Sequence, residues 1–65
     1  MSALSRRVMF LIRRDGGLTL SDLSEQTGAP VKAVQAAAWA LVRQHLLDVC
    51  WPYFVLPPMP ARGAP

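Results

Sequence analysis

Few side chains in this sequence are capable of covalent chemistry. One histidine (His45), one cysteine (Cys50) and four acids (Asp15, Asp22, Glu25, Asp48) are spread along 65 residues. They form no nucleophile–base pair, no carboxylate pair and no cluster with metal-ligand spacing, so neither catalysis nor a metal or other cofactor is expected. His45 falls at an expected helix C-terminus, where a polar or cationic cap is ordinary. Cys50, between Val49 and Trp51, reads as a small buried or half-buried hydrophobe. The residues suited to non-covalent binding are more organised. Lys32, Ala36, Trp39 and Arg43 follow one another at four, three and four residues, which is one stripe of a helix, and Val31 and Gln35 flank its start. The opposite stripe is Val34, Ala37, Ala38 and Leu41, an apolar face for a core.

Those side chains must be held by the stretch from Thr19 to Leu46, which reads as a short helix, a tight turn and a longer helix. Thr19 offers an N-cap oxygen and Asp22 stands three residues on, the pattern of a capping box. Leu23 faces inward, and Ser24 beside it is small enough to admit a neighbouring helix. Gly28 ends the short helix where a positive φ is wanted. Pro30, with its fixed φ and no N–H, suits the first position of the next helix.

The spacing of Leu23, Ser24, Gly28 and Val34 resembles the helix-turn-helix of bacterial DNA-binding regulators, with Ser24 where alanine is more usual and His45 where the second helix normally ends in glycine. The resemblance covers roughly residues 4 to 56 and extends to the winged helix-turn-helix, since an apolar helix precedes the motif and a β-like segment follows it. It implies a mainly α fold, a three-helix core with a short C-terminal β-hairpin. It also implies that side chains early in the second helix of the motif enter the major groove of duplex DNA. At those positions stand Val31, Lys32, Gln35 and Ala36: Gln35 would read adenine, Lys32 a guanine or a phosphate, and Val31 or Ala36 a thymine methyl. Arg43 lies further along the same stripe, and Thr19 and Ser21 would offer hydroxyls and N–H groups to phosphate.

The flanking segments complete the domain, expected over residues 1–56. Residues 2 to 14 form a helix capped by Ser2, with Leu4, Val8, Leu11 and, at the margin, Ile12 on one face. Met9 and Phe10 are expected on the far side, as a self-association surface. Asp15-Gly16-Gly17 is a break, and Leu18 an extended piece of the kind that pairs with a wing. Residues 46 to 56 are β-branched and aromatic. They divide at Trp51-Pro52 into strands 47–50 and 53–56, with a trans bond favoured at that corner. The runner-up is one continuous strand pairing with a second subunit. This segment has no Lys or Arg, a departure from the family. Four of the six prolines fall in residues 57–65, read as a disordered or polyproline-like tail.

A formal charge of +3 permits a polyanionic partner without requiring one. The single cysteine rules out an internal disulfide and fits a reducing compartment. No apolar run is long enough for a membrane helix, and Arg13 and Arg14 interrupt the N-terminal one too early for a secretory signal, so a cytoplasmic location is expected. A chain this short has a small core, for which dimerisation is a common remedy. Two functions follow. One is a small transcriptional regulator, dimeric, binding double-stranded DNA through the helix that starts near Val31. The other is an inhibitor or adaptor that binds a protein partner through Trp39, Met9 and Phe10, since an outward Trp is a frequent protein anchor.

Overall fold

The computed structural model describes residues 2–58, and the tail expectation therefore lies, beyond Pro57 and Pro58, outside the described residues. Three helices, α1 (Ala3–Asp15), α2 (Leu20–Thr27) and α3 (Val31–Arg43), combine with three strands, β1 (Gly17–Thr19), β2 (Asp48–Cys50) and β3 (Tyr53–Val55). The helix-turn-helix with a C-terminal hairpin is as expected, and β1 joins that hairpin in an antiparallel sheet of order β1-β3-β2. Trp51-Pro52 is the corner of the hairpin, with a cis rather than the expected trans peptide bond.

Local chemistry sets each boundary. Ser2 Oγ accepts the Ser5 N–H at 3.1 Å to start α1. Thr19 Oγ1 accepts the Asp22 N–H at 3.1 Å while Asp22 Oδ2 accepts the Thr19 N–H at 3.2 Å, so the capping box is closed in both directions. Gly28 ends α2 at φ 74°, and its N–H donates to the Ser24 carbonyl. Two hydroxyls brace the turn that follows: Ser24 donates to the Ala29 carbonyl at 2.7 Å, and Thr27 donates to the Leu23 carbonyl while accepting the Ala29 N–H. Ser24 is therefore a tie across the corner as well as a small residue. Pro30 is not the first helical residue but the one before it, with an extended ψ of 150°. Its carbonyl opens α3 by accepting from Ala33 and Val34.

The core is Val8, Met9, Leu11, Ile12, Leu18, Leu23, Val34, Ala38, Leu41, Leu47 and Phe54. Met9, expected on the outside, is 5% exposed. The reason is that α1 packs against α2, α3 and β1 together. Its buried arc is thus wide enough to take Ser5, Met9 and Ile12 as well as Val8 and Leu11. In the sheet, Phe54 stands between Leu18 and Val49 on the inward face. Gly17 lies opposite Val55, where a Cβ would come within 2.9 Å of Val55 Cγ1, so β1 can lie this close to β3 only without a side chain there.

The end of α3 carries a measurable strain. His45 has φ 62°, and its N–H donates to the Val42 carbonyl while the Leu46 N–H donates to that of Leu41. This is a Schellman ending, which glycine ordinarily completes. The backbone of His45, not its imidazole, does the capping. An L-residue held in this region costs about 1–2 kcal/mol, part of which glycine returns through the freer unfolded chain. His45→Gly is expected to stabilise the domain by about 1 kcal/mol, raising the thermal midpoint by about 4–8 °C. A circular-dichroism melt checks this, and an unchanged or lower midpoint contradicts it.

Candidate nucleic-acid interface

Val31, Lys32, Gln35 and Ala36 are all exposed on the first two turns of α3, on the side away from Val34, Ala38 and Leu41. The turn braced by Ser24 and Thr27 fixes where that surface begins. No side chain caps α3 and no acid lies in its first turn, so the free N–H groups and the positive end of the helix dipole face solvent beside Lys32. Arg43 is exposed at the other end of the stripe.

The N-terminus of α2 is arranged differently. Ser21 is exposed, but the Thr19 hydroxyl is engaged in the cap and the Asp22 carboxylate already lies against the first turn. A phosphate approaching Thr19 meets a resident anion. The structure therefore brings Val31, Lys32, Gln35 and Ala36 together on one surface, with Thr19 and Ser21 on a neighbouring helix start whose donors are partly used.

Trp39 is not the outward anchor that its place on the stripe implies. It is half-buried, its ring meeting Phe54 edge-on at 5.3 Å between centroids and 82° between planes. Phe54 of the hairpin reaches this ring from fifteen residues away in sequence, which only tertiary contact could reveal. Cys50, expected buried or half-buried, is exposed because it pairs with Tyr53 on the outward face of the sheet. Trp51 at the hairpin corner is 69% exposed and Tyr53 48%. The sequence marks Trp51 only as part of the corner and gives Tyr53 no role, although strand alternation around Phe54 places Tyr53 outside. With Asp48 as its only charge, the hairpin offers no cation to a phosphate.

Elsewhere, Arg14 grips Asp15 through two hydrogen bonds of 3.0 and 3.1 Å and reaches Gln26 on α2 at 2.8 Å. The hydrogen bond from Arg14 holds the Asp15 carboxyl below its ordinary pKa. Any stability from this exposed pair is present above the ordinary carboxylate pKa and is lost as pH falls through the lowered one. Among the described residues no three His, Cys, Asp or Glu side chains are grouped to hold a metal, and no helix is long and apolar enough to cross a membrane.

Three helices, the third with an exposed face and no side-chain cap, and a small antiparallel sheet formed by β1 with the C-terminal hairpin define a winged helix. A family model described as winged helix-turn-helix DNA-binding matches residues 1–46, and the chain belongs to that family. No curated protein and no solved structure shows significant similarity to the chain.

Proposed function

We propose that the protein is a transcriptional regulator that inserts the first turns of α3 into the major groove of duplex DNA. The observation that carries this reading is the joint exposure of Val31, Lys32, Gln35 and Ala36 at a helix start with no competing acid. Lys32 and the free N–H groups of α3 meet phosphate or guanine, Gln35 reads adenine and the two small apolar side chains meet thymine methyls. Arg43 meets the backbone further along. Ser21 is the phosphate contact that α2 retains, with Thr19 chiefly its structural cap. Two copies act on adjacent half-sites, since one α3 with two cations supplies little affinity alone.

The test is binding to a random-sequence duplex at 50 and 200 mM salt, followed by site selection from the bound pool. With Lys32 and Arg43 as the phosphate-neutralising side chains, each bound chain gives a log–log salt slope of about −2, or about a tenfold loss between those salts. Gln35→Ala is expected to cost about 1–3 kcal/mol of discrimination at one adenine of the selected site. No duplex binding at the lower salt ends the proposal.

A further inference from the structure

Most of the basic charge among the described residues lies on α1 and not on α3. Of the seven Lys and Arg residues, Arg62 lies outside the described residues, and four of the remaining six (Arg6, Arg7, Arg13 and Arg14) are exposed on α1. They surround one residue. Phe10 is 60% exposed, and its neighbours at i−4, i−3, i+3 and i+4, the positions that touch it on a helix surface, are all arginine. Phe10 points directly away from the arc that holds Val8, Ile12 and Ser5. Because α1 packs against α2, α3 and β1 through its buried arc, Phe10 and its arginines face away from the rest of the body, on a surface separate from the one that carries Lys32 and Gln35.

The chemistry selects among occupants. A second copy would bring eight guanidinium groups together with only the two Asp15 carboxylates to offset them, so like-charge repulsion opposes self-association at Phe10. A nucleic-acid backbone neutralises arginines but offers the central ring only narrow sugar edges between phosphates, whose oxygens would lose water to the ring without replacement. An anionic lipid surface needs an apolar face, and here that face is one side chain. An aromatic centre with a rim of arginine is instead the composition of a protein-binding surface. We propose that the outer face of α1 docks an acidic protein segment with one apolar or aromatic anchor. Phe10 receives the anchor, and Arg6, Arg7 and Arg13 pair with flanking carboxylates; Arg14 is already committed to Asp15 and Gln26.

The experiment titrates the full-length protein, ¹⁵N-labelled, with a short synthetic peptide in which a Trp-Leu pair is flanked on both sides by glutamates. The expected result is saturable shifts confined to α1, an affinity at least about tenfold above that of oligoglutamate, and a loss of about tenfold or more in Phe10→Ala. Arg6→Glu with Arg13→Glu abolishes binding. All three positions are exposed, and unchanged melting curves establish that the variants fold. The proposal is overturned if the peptide does not bind, if oligoglutamate binds as well, if Phe10→Ala has no effect, if random duplex or phosphatidylserine vesicles shift the same α1 amides, or if those amides shift with protein concentration alone. Duplex affinity of Phe10→Ala stays at the wild-type level, so failure here and failure of the α3 reading are separable.

Discussion

Phe54→Ala is expected to leave the protein unfolded at room temperature. Phe54 is fully buried and heads the largest such side chains of the core. From the middle strand it touches both neighbouring strands through the Leu18 and Val49 pairs, and it carries the edge-on contact with Trp39 of α3. Truncating a buried Phe costs about 3–5 kcal/mol, and loss of the aromatic pair adds about 0.5–1.5 kcal/mol. A single core in a chain this short rarely supplies more than about 3–5 kcal/mol in total. The variant should show collapsed amide dispersion and no cooperative melt. A cooperative transition within about 2 kcal/mol of wild type would falsify the role of Phe54 as the side chain that joins sheet to helices.

Reversing both cations of α3, Lys32→Glu with Arg43→Glu, is expected to lower duplex affinity by on the order of a hundredfold at 50 mM salt, and by less as salt rises. Each reversal removes one phosphate contact and adds a repulsion. Neither side chain takes part in an ion pair among the described residues, so the fold loses little. Arg43 sits in the last turn of α3, where a carboxylate opposes the helix dipole and costs about 0.3–1 kcal/mol; the melting curve accounts for that part. The informative comparison is Arg6→Glu with Arg13→Glu, which changes net charge by the same amount on the exposed face of α1. Equal losses from the two pairs would mean that duplex binding follows total charge and not the surface of α3.

The features legible in the sequence are local ones. The cap at Thr19 with Asp22, the stop at Gly28 and the three- and four-residue recurrence of Val34, Ala38 and Leu41 each depend on residues within a turn or two of one another. The extended piece at Leu18 and the division of the hairpin at Trp51-Pro52 were legible for the same reason. The misreadings share a different cause. Their own helices alone place Met9 and Trp39 toward solvent, but the packing of α1 buries Met9 and Phe54 partly covers Trp39. The strand that covers Trp39 centres on Phe54, fifteen residues away, and the register that places it there is set by β1.

By itself, then, the amino-acid sequence determined the element order, the helix-turn-helix corner and the helix start that carries Lys32 and Gln35. These follow from backbone preference and short-range hydrogen bonding, which need no knowledge of the rest of the chain. Only the tertiary structure decided which apolar side chains remain for a partner. It buried Met9, brought Phe54 against Trp39, and left Phe10 exposed among four arginines on the outer face of α1. Exposure is a property of how all the elements fill space together, and a helical wheel counts only one of them.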